Sequence, residues 1–138
     1  LLHAVPTVEL PDADASADAF AQLLTTICPG IPPVFDLILL GLGDDGHTAS
    51  LFPGTEAPTI VDRWATVGRG KGLDRITLTA PVLSAADQVM FLVSGAGKRQ
   101  ALKQLLDPAG SVEATPAKLV RPASTVVVFA DDPALNAS

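Results

Sequence analysis

Between Gly41 and Ser50 the chain reads GLGDDGHTAS, and three kinds of chemistry compete for that stretch. Gly41, Gly43 and Gly46 have the G-x-G-x-x-G spacing that lets a backbone approach a pyrophosphate. Asp44, Asp45 and His47 are instead the residue types of proton transfer, and an Asp/Gly-rich turn carrying a surface histidine would read the same way. A dinucleotide loop must open a helix whose N-terminus receives the phosphates. Here Asp44 and Asp45 fill the variable positions, where their charge opposes a pyrophosphate, and Pro53 stops any following helix within about two turns. Asp62 lies near the spacing of a ribose-binding acid, but not at the end of a strand pattern. A free imidazole titrates near pH ~6.5, so His47 can be neutral and accept a proton while a neighbouring carboxylate orients the ring. General-base work therefore fits the loop better than nucleotide binding does, with the plain turn still open.

Other nucleophiles and ligands are poorly placed. Ser50 is not in a G-x-S-x-G elbow, and Cys28, the only cysteine, sits by a Pro-rich loop without a histidine and is expected to be a buried core thiol. His3 and His47 are the only histidines, neither at metal-ligand spacing, so no metal site is expected and His3 should be solvent-exposed. A second cluster, VSGAGKRQAL, leads from a strand pattern through small residues into a helix with Lys98 at its start. It lacks the Walker spacing, yet Lys98 and nearby amides could hold one phosphate; a solvated lysine fits equally. Arg75, heading RITLT, is an anion ligand or a strand-edge charge.

The elements that must position these groups follow from periodicity. DASADAFAQLL, from Asp14 to Leu24, spaces Ala19, Phe20, Leu23 and Leu24 on one helical face, with Asp14 or Ser16 as N-cap, and ends before the loop CPGIPP. VFDLILL is an apolar run expected as a central strand buried on both faces. RWATV, RITLT, VMFLVS and TVVVFA are further strands, and PVLSAADQ and GKRQALKQLL read as helices. The alternation predicts an α/β fold with a mostly parallel sheet flanked by helices, in a single domain over residues 1–138.

With 138 residues, a hydrophobic fraction of 48% and net charge −6, the chain can build a core but offers no basic surface for nucleic acid or anionic membrane. No stretch is long enough to span a bilayer and the start is not a signal peptide, so a cytoplasmic protein is expected. With one cysteine, no intrachain disulfide can form.

FDLILLGLGDDGHTASLFPGT resembles the signature of 6-phosphogluconolactonases, and DRITLTAPVLSAADQVMFLVSGAGKRQAL and AKLVRPASTVVVFAD resemble later blocks of that family in order. The resemblance implies an open Rossmann-like α/β fold, shared with glucosamine-6-phosphate deaminases and ribose-5-phosphate isomerases. It also implies hydrolysis of 6-phospho-D-glucono-1,5-lactone, a small sugar-phosphate substrate, with no cofactor. Carried onto this chain, His47 matches the general base, Asp45 the acid beside it, Lys98 the ligand of the 6-phosphate and Arg75 the family's R-I-T-L-T arginine. Amides around Gly43 to Gly46 would receive the oxyanion. An amino-sugar-phosphate deaminase also carries D-G-H, but continues differently and bears an acid after the histidine that TASLFP lacks. Family members are nearly twice this length, so the sheet and phosphate site are expected to be incomplete at the N-terminal side. A non-catalytic remnant of the fold is the alternative of a different kind.

Overall fold

In a computed structural model of the chain, which describes residues 2–136, the Asp/Ala-rich segment forms α1 (Ala13–Ile27). The helix runs past Leu24, and its N-cap is Asp12 rather than Asp14 or Ser16: the Asp12 carboxylate accepts the Ala15 N–H at 2.8 Å. Cys28 is the C-cap residue of this helix and only half-buried, so the expected core thiol is corrected to a cap position. Partial burial, with Asp36 nearby, raises its thiol pKa. His3 is exposed, as expected.

The apolar run yields β1 (Leu37–Gly41). It is followed by β2 (Ala65–Gly70), β3 (Leu73–Leu78), α2 (Ala80–Ala85), β4 (Gln88–Val93), α3 (Arg99–Leu106), β5 (Val127–Ala130) and α4 (Asp132–Leu135). Strands β1, β4 and β5 form a three-stranded parallel sheet in the order β1-β4-β5, with Leu39 opposite Met90 and Leu92 opposite Phe129. The two strands read from RWATV and RITLT do not join it. They pair with each other as an antiparallel hairpin closed at Lys71 and Gly72, and α1 packs on that hairpin.

The core lies on one face of the parallel sheet. Ile38, Leu40, Val89, Phe91 and Val93 point to that face, where α2 and α3 contribute Leu83 and Leu102. Side chains of this size each stabilise the fold by about 1.5–3 kcal/mol when fully buried. The opposite face is bare among the described residues: Leu39 is 58% exposed, Leu92 52% and Phe129 57%. The expectation that β1 is a central strand buried on both faces is therefore corrected. Among the described residues β1 is an edge strand whose residues alternate exposed and buried, because helices cover one side only.

All three parallel strands end on the same edge. β1 delivers Leu42–His47, β4 delivers Ser94–Lys98 and β5 delivers Asp131, so the two motif-bearing loops leave adjacent strands side by side. Carboxyl edges of open parallel sheets are where such folds place their chemistry.

A candidate active site at the carboxyl edge of the sheet

The chain after β1 does not open a helix. It makes a tight turn at Leu42–His47, then an antiparallel bridge between Thr48 and Leu51. The turn closes on itself: the Gly43 N–H donates to the His47 carbonyl at 2.8 Å and the Gly46 N–H to the Gly43 carbonyl at 3.0 Å. Thr48, buried, ties it to the strand end through Oγ1–H to the Gly41 carbonyl at 2.7 Å. Without a helix N-terminus in this loop, a dinucleotide site is excluded here by geometry as well as by charge.

Within the turn, Asp45 Oδ1 accepts from the His47 backbone N–H at 3.1 Å and lies 2.5 Å from His47 Nδ1. With Nδ1–H donating to the carboxylate, Nε2 carries the free lone pair, which is the tautomer a general base needs. Burial opposes ionisation of Asp45, but the hydrogen bonds from the His47 amide and ring, and the charge of Lys71, outweigh it. Together they hold the carboxyl below its usual range. Ring packing completes the fixation: the Phe52 ring centre is 4.5 Å from that of His47, at an interplanar angle of 43°.

The two glycines act sterically. A Cβ on Gly43 would overlap the His47 ring, so the absent side chain makes room for the imidazole. Gly46 has φ +84°, and a Cβ there would meet Thr115 Cα at 3.1 Å. Their expected role as oxyanion donors is corrected, because both N–H groups are engaged inside the turn. The amides of Asp44 and Asp45 have no acceptor among the described residues.

The β2–β3 hairpin brings cations to this pair. Arg75 donates from Nη1 to the Gly70 carbonyl at 2.8 Å, and its guanidinium lies 5.4 Å from the Phe52 ring centre, on the ring that packs against His47. Lys71, at the hairpin turn with φ +54°, extends its ammonium to Asp44 Oδ1 at 3.2 Å and to Asp45 Oδ2 at 3.8 Å. The Lys71 hydrogen bond and charge hold the Asp44 carboxyl below its usual range, and the Lys98 charge works in the same direction. Lys98 therefore lies within electrostatic reach of the acid turn. Its own position is the junction between a 3₁₀ turn (Ala96–Lys98) and α3. Its N–H bonds to the Gly95 carbonyl at 3.0 Å, so its ammonium rather than its amide is free for an anion.

His47, Asp45, Arg75 and Lys98 are thus brought to one region. Phe52 and Lys71 join them without having been singled out in the sequence. The signal for Phe52 was present in the string TASLFP, whereas Lys71 is revealed only by the hairpin's fold-back. Among the described residues, no group of three or more His, Cys, Asp or Glu side chains converges to hold a metal ion. Among those same residues, no helix is long and apolar enough to cross a membrane.

A one-sided parallel α/β sheet with an acid–histidine pair and cations gathered at its carboxyl edge defines an open-sheet α/β protein. The chain belongs to the glucosamine-6-phosphate isomerases/6-phosphogluconolactonase family, whose model matches residues 1–129. It is 44% identical over 133 residues to a 6-phosphogluconolactonase of Nostoc sp., covering 94% of this chain and 55% of that protein. To a Synechocystis sp. 6-phosphogluconolactonase it is 42% identical over 136 residues, covering 96% of this chain and 56% of that protein. The crystal structure of 6-phosphogluconolactonase from Leishmania guyanensis superposes with a TM-score of 0.78 at 27% identity, covering 87% of this chain and 51% of the other. The chain spans little more than half the length of the relatives it matches.

Proposed function

We propose that residues 1–138 act as one α/β unit that hydrolyses 6-phospho-D-glucono-1,5-lactone to 6-phosphogluconate, in the oxidative branch of the pentose phosphate pathway. The observation that carries this reading is the 2.5 Å contact between His47 Nδ1 and Asp45 Oδ1, which leaves Nε2 free as a base. Nε2 takes a proton from water as its oxygen bonds to the lactone C1. The ring C1–O bond then breaks, and the imidazolium returns that proton to the leaving oxygen. Asp45 stays ionised throughout and stabilises the imidazolium. Such general-base assistance contributes about 10²–10⁴-fold.

Lys98 and Arg75 supply positive charge for the 6-phosphate, whose binding away from C1 orients the ring. Of the amides from Gly43 to Gly46, the free ones of Asp44 and Asp45 are the candidate oxyanion donors. The scheme uses water and side chains of this chain, so we infer no cofactor and no metal. It needs neither nucleic acid nor membrane, and fits a cytoplasmic setting. Deamination of an amino-sugar phosphate is disfavoured because the stretch after His47, TASLFP, carries no acid, and its Phe52 packs against the imidazole.

The bare sheet face favours a second element of the reading: this unit works with further polypeptide, or a second copy, against Leu39, Leu92 and Phe129. The experiment supplies lactone and glucosamine 6-phosphate separately and follows 6-phosphogluconate and ammonia. Acceleration with lactone alone supports the lactonase. Ammonia release would replace it by the deaminase, and no turnover of either would assign the chain as a remnant that cannot act alone.

A further inference from the structure

β4 and β5 end in register, Val93 opposite Ala130, so that Asp131 emerges beside the loop that leads to Lys98. Its carboxylate is held by three donors from two segments. Oδ2 accepts the Ser94 hydroxyl at 2.6 Å. Oδ1 and Oδ2 share the Gly95 N–H at 3.0 and 3.1 Å. Oδ1 also accepts the Ala134 N–H at 2.9 Å, which caps α4. Gly95 has φ +96°, a conformation that glycine tolerates and that needs holding in place. The Gly95 carbonyl in turn accepts the Lys98 N–H at 3.0 Å. One unbroken series of hydrogen bonds therefore runs from the end of β5 through Gly95 to the backbone of Lys98.

We propose that Asp131 is a positioning residue for Lys98: by clamping Ser94 and Gly95 it fixes the loop from which the Lys98 ammonium meets the phosphate of an anionic sugar. The inference rests on the reading of Lys98 as the phosphate ligand. A purely structural role would end with the cap of α4, a helix of four residues. The clamp on Ser94 and Gly95 contributes nothing to that cap. Charge-assisted bonds of this kind are the stronger class, so releasing two of them frees the loop rather than merely loosening it.

The test measures the dissociation constant of 6-phosphogluconate by calorimetry, together with melting temperature, for the unsubstituted chain, Lys98→Ala, Asp131→Ser, Asp131→Asn and the double variant Lys98→Ala/Asp131→Ser. A serine hydroxyl retains an acceptor for the Ala134 N–H but is too short to reach Ser94 and Gly95. Asparagine retains an acceptor for Gly95 and turns its amide toward Ser94 Oγ. Lys98→Ala and Asp131→Ser each weaken binding by about tenfold, and Asp131→Asn by less than about twofold. The double variant binds no worse than Lys98→Ala alone, because Asp131 acts through the lysine. Ser94→Ala, which leaves the cap intact, weakens binding by about threefold and gives the answer should Asp131→Ser not fold.

Additive losses in the double variant, or unchanged binding in both Asp131→Ser and Ser94→Ala, overturn the inference while leaving Lys98 as a ligand. Unchanged binding in Lys98→Ala, or no measurable binding by the unsubstituted chain, removes the reading of Lys98 and the inference with it.

Discussion

His47 Nδ1 and Asp45 Oδ1 lie 2.5 Å apart across a turn that also has the His47 N–H on the same carboxylate oxygen. One acid thus sets both the backbone and the tautomer of the base. Asp45→Asn retains an acceptor for the backbone but no longer enforces Nδ1–H or stabilises the imidazolium. Lactone hydrolysis by this variant falls by about 10²–10⁴-fold in kcat, with a melting temperature only modestly lowered by loss of the charged carboxylate. Steady-state kinetics alongside thermal unfolding check both halves.

Gly43 makes room for the ring. In Gly43→Ala the new methyl overlaps the imidazole, and the ring must leave its place against Asp45 and Phe52. Activity falls to the level of a His47 deletion while far-ultraviolet circular dichroism is unchanged. Normal kcat in a folded Gly43→Ala protein would show that the ring's location is unimportant.

Acid sensitivity follows from the same pair. Asp45 has its pKa lowered in the folded chain, so the stabilisation it gives is fully present above its unfolded value of about 3.9 and is lost as pH falls through the folded value. Urea midpoints measured from pH 6 down to about pH 2 decline more steeply for the unsubstituted chain than for Asp45→Asn below about pH 4. Parallel curves would mean that the carboxylate contributes no net stability.

Adjacent residues of β4 report on the one-sided sheet. Phe91 is 1% exposed and Leu92 52%, although they differ by one position. Phe91→Ala destabilises by about 3–5 kcal/mol and Leu92→Ala by about 0.5 kcal/mol or less in this chain. Denaturant titration separates the two. A large loss from Leu92→Ala would show that the bare face is covered in solution, and size-exclusion chromatography would then say whether a second copy covers it.

Much of this was legible in the residues because it is local. The pairing of Asp45 with His47 is a contact between residues two apart, and turn chemistry in GDDGHT announces it. Lys98 and Arg75 were visible as basic residues at the ends of apolar runs, and the parallel register brings the loop of Lys98 beside that of His47. What was not legible depends on long-range pairing. VFDLILL is apolar enough for two-sided burial, but an apolar run does not say whether anything lies against each face, and β1 has one face bare. RITLT and RWATV read as strands without revealing that they pair with each other. That pairing places Lys71 over Asp44 and Asp45 at a separation of about 27 positions along the chain. Gly43 and Gly46 suggested free amides, whereas the closed turn engages them both.

The most direct test of His47 as the general base compares the unsubstituted chain with His47→Gln in lactone hydrolysis, with 6-phosphogluconolactone generated in situ and product read by 6-phosphogluconate dehydrogenase. Turnover above the spontaneous rate is expected for the unsubstituted chain and none for His47→Gln. Equal rates in the two proteins, whether accelerated or not, would contradict that role for His47.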